Sequence, residues 1–102
     1  ISGDAEYCEL DVFKPSCGQN EVILMKSAFY GRMALGRCVT QDYGIGCKAD
    51  VLHIMDGFCS GRQTCSLNLG SPEFLSAKAK VCPRDGSAYL APQFGCIKGR
   101  QY

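Results

Sequence analysis

Eight cysteines are the most reactive side chains of this 102-residue sequence, and their spacing limits the chemistry open to them. They are Cys8, Cys17, Cys38, Cys47, Cys59, Cys65, Cys82 and Cys96. An even, dispersed set at this density in a short chain is typical of a disulfide framework, which persists only in an oxidising compartment. The pattern therefore predicts a module that is secreted or lies on the extracellular face of a membrane protein.

Zinc binding and thiol redox chemistry are the alternatives that a high cysteine content raises. Both use close pairs such as C-x2-C, whereas the tightest spacing here runs from Cys59 to Cys65. The single histidine, His53, has no second imidazole with which to complete a zinc site. We therefore expect neither a metal nor another cofactor.

Catalytic chemistry has few candidate residues. A general base needs a positioned partner, and His53 lies beside the apolar stripe of a predicted helix without an evident one. Glu9 and Asp11 share a face if they lie on one strand and could form a glycosidase-like pair, although solvated carboxylates are the commoner interpretation. The sequence has neither a G-x-S-x-G elbow nor a phosphate-binding loop. It predicts a protein without enzymatic activity.

Binding chemistry is better represented, in the run Ala28-Phe29-Tyr30-Gly31-Arg32. A sugar site needs carboxylate or amide acceptors, cationic donors and an aromatic face on a rigid scaffold. This run lies where a predicted strand enters a long loop, a common place for functional side chains. A structural interpretation is equally open at this point, with Phe29 in the core, Gly31 in a turn and Arg32 paired with a carboxylate.

Size and charge narrow the classes of partner. A chain of this length forms one domain with a modest core, which disulfides would each stabilise by about 2 to 4 kcal/mol. The net charge of +1 argues against a nucleic-acid partner. The acidic beginning and basic last quarter are two solvated faces or, alternatively, a patch for heparin-like or acidic partners.

No apolar run approaches the ~20 residues of a membrane span, so no membrane insertion is expected. Because the chain begins at Ile1, we expect a processed piece of a larger protein.

Two strands and a loop should position the first half of the chain. Glu6 to Phe13 alternates as a strand, and we expect Cys8, Leu10 and Val12 to face inward. Val22 to Ala28 is rich in branched residues and predicts a second strand. The aperiodic, glycine-containing stretch that follows, residues 31 to 46, predicts a long loop ordered by disulfides.

The second half predicts two helices and two more strands. Asp50 can cap a helix whose apolar face is Val51, Leu52, Met55, Phe58 and Cys59. Ser71 and Pro72 are the expected N-cap and first residue of a helix that runs to Lys80. The strands are Ser66 to Leu69 and Tyr89 to Ile97, with Pro92 at a bulge or an edge position.

Several motifs together resemble a known family. They are the order of the eight cysteines, Cys8-Glu9, the Ala28 to Arg32 run followed by Cys38, the Val51 to Cys65 segment ending in Cys-Ser-Gly-Arg-Gln-Thr-Cys, and Tyr89-Leu90 before Phe94-Gly95-Cys96. From about Cys8 to Ile97 the chain resembles the rhamnose/galactose-binding lectin domain of the sea-urchin-egg-lectin type, which occurs in fish-egg lectins, latrophilin ectodomains and plant β-galactosidase tails. The resemblance implies one lectin-like domain over residues 1–102, with its core in 7–97.

The fold implied by this resemblance is mainly β with short helices, a small disulfide-stapled antiparallel β-sandwich of about five strands with long structured loops. The implied bridges join Cys8 to Cys38, Cys17 to Cys96, Cys47 to Cys82 and Cys59 to Cys65. They would tether both ends of the long loop to the rest of the domain.

The resemblance also implies a sugar site. Glu9 and the Tyr30-Gly31-Arg32 turn match binding positions of the family, whereas Lys80 stands where an aspartate is usual and Ala88 where a lysine is usual. Together with the nearby loop, the candidate carbohydrate-binding residues are Glu9, Tyr30, Gly31, Arg32, Lys80, Asp85, Gly86 and Tyr89. The two departures argue against ordinary rhamnose binding, because an ammonium at position 80 removes acceptors that a carboxylate would offer.

Two functions therefore stay open. The first is a non-catalytic extracellular module that binds a galactose- or rhamnose-like glycan. The second is a protein-interaction or adhesion module on the same scaffold, with a cell-surface protein as its partner, as the latrophilin ectodomains imply. Retention of Glu9 and of the Tyr30 to Arg32 turn favours the sugar, and the residues at Lys80 and Ala88 favour the protein partner.

Overall fold

Two antiparallel sheets and two short helices make up the domain, and the computed structural model describes residues 6–82 and 87–99. The larger sheet has the order β1-β6-β3-β4, and β2 pairs with β5 in the smaller one. The fold class expected from the sequence is thus confirmed. In chain order the elements are β1 Tyr7–Cys8, β2 Val12–Phe13, β3 Glu21–Arg32, β4 Cys47–Asp50, α1 Leu52–Cys59, β5 Leu67–Asn68, α2 Pro72–Ala79 and β6 Tyr89–Lys98.

The long ladder between β3 and β6 is the centre of the larger sheet. β3 is longer than the sequence predicted, because its pairing with β6 and β4 continues to Arg32. A shift of register between Met25 and Ser27 marks a β-bulge, so the buried positions change phase along the strand. Pro92 lies outside this bulge and pairs with Ala28, whose carbonyl accepts the Val51 N–H on the opposite side of β3. The backbone nitrogen of Pro92 therefore points away from β3, where a missing N–H breaks no ladder bond.

The predicted single strand from Glu6 to Phe13 is wrong, because a tight turn divides it into β1 and β2. The Asp11 carboxylate accepts the Cys8 N–H at 2.8 Å, and the Asp11 N–H donates to the Cys8 carbonyl at 2.9 Å. Such a local side-chain bond competes with strand pairing. The expected inward face is consequently lost, since Leu10 is 92% exposed and Val12 is also exposed, whereas Phe13 is buried.

The two helices begin near the predicted residues. Val51 occupies the N-cap of α1, while the Asp50 carboxylate, one residue earlier, accepts the Leu52 N–H at 3.0 Å. Met55 and Cys59 are buried on this helix, but Phe58 was wrongly placed on the buried face and is 45% exposed.

The second helix follows the prediction more closely. Ser71 is the N-cap of α2 and Pro72 its first residue, where the fixed proline φ angle is already helical and its missing N–H breaks no helical bond. Phe74 and Lys78 are its buried residues. β4 was not predicted from the sequence, because its four residues carry no long apolar alternation.

The core lies between one face of the larger sheet and the helices with the β2–β5 pair. Ile23 and Tyr30 of β3 meet Phe13, Met55 and Phe74 in one buried cluster. Phe13 packs edge-on against the Phe94 ring, with 5.9 Å between ring centroids. Within the described parts of the chain, no helix is long and apolar enough to cross a membrane.

All eight cysteines are joined in four disulfides, which are the bridges implied by the family resemblance. They join Cys8 to Cys38, Cys17 to Cys96, Cys47 to Cys82 and Cys59 to Cys65. The first fastens the interior of the loop between β3 and β4 at Cys38, and the third fastens the end of that loop at Cys47. With every thiol oxidised, no cysteine is available as a zinc ligand or redox thiol.

Candidate functional site

Glu9 leaves the end of β1 in the turn before β2, and its carboxylate is held from two sides. Oε2 contacts the Lys78 Nζ at 2.9 Å, and Oε1 accepts the Ala88 N–H at 3.2 Å. The Glu9 side chain is 23% exposed and the Lys78 side chain only 9%. Because each carboxylate oxygen has two acceptor sites, Glu9 keeps the capacity to accept hydroxyl groups from the solvent side.

Lys78 contacts the candidate site and was missed by sequence reasoning. It follows the buried Phe74 by four residues on α2, so both side chains lie on the face turned toward the domain. That spacing was the available signal. Lys80, the sequence candidate, is the exposed C-cap residue of the same helix. The structure therefore brings Lys78 to the Glu9 carboxylate, and a sugar contact by Lys80 stays a prediction.

Tyr30 lies beneath this site, in the buried part of β3. Its hydroxyl donates to the Leu69 carbonyl at 3.1 Å, and its ring packs against Phe74 with 5.6 Å between centroids. Burial and, second, the negative charge of Glu9 raise the pKa of Tyr30 above its ordinary value. Tyr30 thus supports the helix that carries Lys78 and stays neutral.

Gly31 belongs to β3 and makes no turn, contrary to the structural interpretation. It pairs with Lys48 of β4 on one side and with Tyr89 of β6 on the other. A Cβ atom at this position would meet the Cys47 carbonyl oxygen at 2.4 Å. Glycine is therefore required by the close approach of β4. Phe29 was expected in the core under the same interpretation, but it is half-buried.

Arg32 is 1% exposed and bonds main-chain oxygens instead of the carboxylate expected in that interpretation. Its Nε and Nη2 donate to the Tyr43 carbonyl at 3.2 and 2.9 Å, and Nη2 also donates to the Gln41 carbonyl at 2.9 Å. Nη1 donates to the Ser87 carbonyl at 2.7 Å. These bonds offset the cost of burying the charge. They also tie the loop between β3 and β4 to the residue before Ala88.

The other candidates are distributed differently. Tyr89 is buried at the start of β6, where burial first and Glu6 second raise its pKa against an opposing hydrogen bond from the Ala34 backbone. Asp85 and Gly86 lie outside the described residues. His53 is exposed on α1.

Asp11 and Glu9 have separate partners. The Asp11 carboxylate accepts the Cys8 N–H of its own turn and lies 3.5 Å from the Arg37 guanidinium. Glu9 instead meets Lys78 and Ala88. Asp11 thus shapes the turn from which Glu9 projects.

Comparison with known families adds a finding to this geometry. A family model described as the D-galactoside/L-rhamnose binding SUEL lectin domain matches residues 15–96. The match confirms the resemblance drawn from the motifs, and it contains Tyr30, Arg32, Lys78 and Tyr89, while Glu9 precedes it. No similar curated protein was found.

Proposed function

The chain belongs to the D-galactoside/L-rhamnose binding SUEL lectin domain family, a family of carbohydrate-binding modules, and from this premise we propose that it binds a glycan at the Glu9 carboxylate. The observation that carries the proposal is the geometry of that group. It is partly exposed, with Lys78 on one oxygen and the Ala88 N–H on the other. Both contacts hold the carboxylate in one orientation before a ligand arrives.

A held carboxylate suits a sugar for a physical reason. Two hydroxyls of a pyranose have fixed directions, so an acceptor that is already oriented loses little entropy on binding. Hydrogen bonds to a charged acceptor contribute about 1.5 to 3 kcal/mol each. Lys78 and the Ala88 N–H leave acceptor sites on both Glu9 oxygens, in the direction of solvent.

The ligand we propose is a galactose- or rhamnose-like glycan other than plain rhamnose. The family pattern implied by the resemblance has a lysine at position 88, so Ala88 removes a side-chain ammonium while its backbone N–H still bonds Glu9, and Lys80 replaces an acidic residue. Both changes alter the pattern of donors and acceptors around the sugar. Such changes select among hydroxyl configurations, because an unpaired polar group at the contact is costly.

The module itself we propose to be extracellular and non-catalytic, a single lectin-like domain within a larger protein. Four disulfides support the compartment, since such bridges persist where the environment is oxidising. Repetition of weak sugar sites in a larger protein would raise avidity.

Calorimetric titration of the domain with methyl β-D-galactoside and methyl α-L-rhamnoside, followed by a glycan array, tests the proposal. We expect Glu9→Gln to lower the affinity for the best ligand by about 10- to 100-fold, because a neutral amide is a weaker acceptor. Glu73→Gln, the same change at an exposed position of α2, is the matched control and should leave affinity unchanged. Absence of binding to any glycan at millimolar concentration contradicts the proposal.

A protein partner is the second candidate, and the exposure of Leu10 favours it. This leucine is 92% exposed in the turn beside Glu9, and burial of a leucine contributes about 1.5 to 3 kcal/mol. Binding of the labelled domain to cells before and after enzymatic removal of glycans separates the two functions. Binding that survives deglycosylation and falls with Leu10→Ser identifies the protein partner, whereas binding lost with the glycans identifies the sugar.

A further inference from the structure

Tyr43, in the loop between β3 and β4, is an exposed aromatic residue that the structure holds in a fixed position. The residue as a whole is 45% exposed. Its carbonyl accepts from both Nε and Nη2 of Arg32, at 3.2 and 2.9 Å. The same guanidinium lies 4.8 Å from the centroid of the Tyr43 ring. One buried cation therefore fixes both the backbone and the ring of this residue.

This arrangement leaves part of the ring available for a ligand. The guanidinium that contacts the ring is buried, so the ring rests on the body of the domain and its exposed portion is turned to solvent. The loop is also anchored within its length by the Cys8–Cys38 bridge and at its end by the Cys47–Cys82 bridge. A ring that is already immobilised loses little entropy when it binds.

Arg32 also connects Tyr43 to the proposed sugar site. Its Nη1 donates to the Ser87 carbonyl at 2.7 Å, and the next residue, Ala88, donates its N–H to Glu9. A chain of contacts through the Arg32 guanidinium and the peptide unit between Ser87 and Ala88 thus links the Tyr43 ring to the Glu9 carboxylate. A disaccharide bound at Glu9 through one ring can present its second ring to a neighbouring surface, whereas a monosaccharide cannot.

We propose that Tyr43 forms a second carbohydrate subsite, in which its ring packs against the C–H face of a pyranose linked to the sugar bound at Glu9. The inference rests on the proposed glycan-binding function and deepens it, because the preferred ligand is then an oligosaccharide of at least two residues. Glu9 supplies the acceptor for the first residue, and Tyr43 supplies the apolar surface for the second. Arg32 is the positioning residue, because it bonds both the Tyr43 carbonyl in the loop and the Ser87 carbonyl next to the Glu9 site.

The test compares methyl β-D-galactoside with lactose, a disaccharide that ends in β-galactose, by calorimetric titration. We expect lactose to bind the wild-type domain about five- to tenfold more tightly, the contribution of one aromatic contact. Tyr43→Ala should abolish this difference and leave the affinity for methyl β-D-galactoside within about twofold, while Tyr43→Phe should keep the difference. Phe58→Ala on α1 removes the ring of an aromatic residue that is also 45% exposed, and it is the matched control that should change neither affinity.

Failure of the second subsite can be distinguished from failure of the function on which it rests. If Glu9→Gln weakens both sugars but Tyr43→Ala changes neither, the second subsite is refuted and glycan binding stands. If Tyr43→Ala weakens both sugars equally, the residue acts on the first site as a whole and the subsite is refuted. If the wild-type domain binds neither sugar, the galactoside function and the subsite both fail. In the expected case, the Tyr43 ring protons also shift on titration with lactose but not with methyl β-D-galactoside.

Discussion

Replacing Lys78 by methionine removes the ammonium from the Glu9 site while retaining an apolar stem of similar length. Breaking a fully buried ion pair costs about 3 to 5 kcal/mol, whereas an exposed pair contributes less than about 1 kcal/mol. The pair lies between these limits, because Lys78 is 9% exposed and Glu9 is 23% exposed. Glu9 also keeps the Ala88 N–H at 3.2 Å. We therefore expect Lys78→Met to lower the free energy of unfolding by about 2 kcal/mol.

A double-mutant cycle isolates the contribution of the pair from other contacts of Lys78. Lys78→Met, Glu9→Gln and the double variant are unfolded in urea with the disulfides intact, and circular dichroism reports the unfolded fraction. We expect a coupling free energy of about 1 to 2 kcal/mol. Lys80→Met is the matched control, because it makes the same change at an exposed residue two positions away, and it should change stability by less than about 0.5 kcal/mol.

Two results would refute this reasoning. A coupling free energy within about 0.3 kcal/mol of zero would mean that the ammonium and the carboxylate do not interact in solution. An equal loss of stability in Lys78→Met and Lys80→Met would place the effect in the helix as a whole. Since the pair is largely shielded, raising the salt concentration should reduce the coupling only slightly.

Three further substitutions concern β3. Tyr30→Phe should cost about 1 kcal/mol at neutral pH through loss of the hydrogen bond to Leu69. Because the pKa of Tyr30 is raised in the folded domain, the unfolded chain loses the phenol proton first as pH rises. The stability that the neutral phenol contributes is therefore present below its ordinary pKa of about 10 and is lost as pH rises above that value. In urea unfolding at rising alkaline pH, the free energy of unfolding should fall less steeply in Tyr30→Phe than in the wild-type domain, and equal slopes would contradict the raised pKa. Gly31→Ala should destabilise the domain by about 2 kcal/mol or more, since its Cβ would lie 2.4 Å from the Cys47 carbonyl oxygen, and unchanged amide exchange in β4 would refute this close contact. Arg32→Lys should expose residues 33–46 to limited proteolysis, because an ammonium cannot replace the planar fork that bonds the loop carbonyls; an unchanged cleavage rate would count against it.

Glu9 and Arg32 come from the same set of family motifs but have different proposed roles in the folded domain. The family resemblance implies a binding role for both residues, yet their environments differ. Glu9 is partly exposed, and its oxygens retain acceptor sites. Arg32 is 1% exposed, with its three nitrogens bonded to main-chain oxygens. We therefore assign the direct sugar contact to the carboxylate in our proposal and the positioning of the loop to the guanidinium.

Local sequence signals were reliable where a single residue or a short spacing determines the structure. Ser71 and Pro72 begin α2 as expected, because the fixed φ angle of proline is already helical and its missing N–H breaks no helical bond at the first position. The number and dispersion of the cysteines indicated a disulfide framework, and the family motifs supplied its pairing. The oxidation of the cysteines can be predicted without the tertiary structure, because a short chain with a high and even number of cysteines is typical of a disulfide framework.

The sequence by itself thus determined the disulfide framework, the mainly β class and the presence of Glu9 and Arg32. Only the tertiary structure decided that Lys78 rather than Lys80 meets Glu9, that Leu10 faces solvent, and that Arg32 holds the loop carrying Tyr43. The physical reason is that alternation and helical spacing describe neighbours along one element. Contacts between a turn, a helix and a loop that are distant in sequence depend on how these elements pack. Lys78 and Lys80 are only two residues apart, yet Lys78 is buried and Lys80 is exposed.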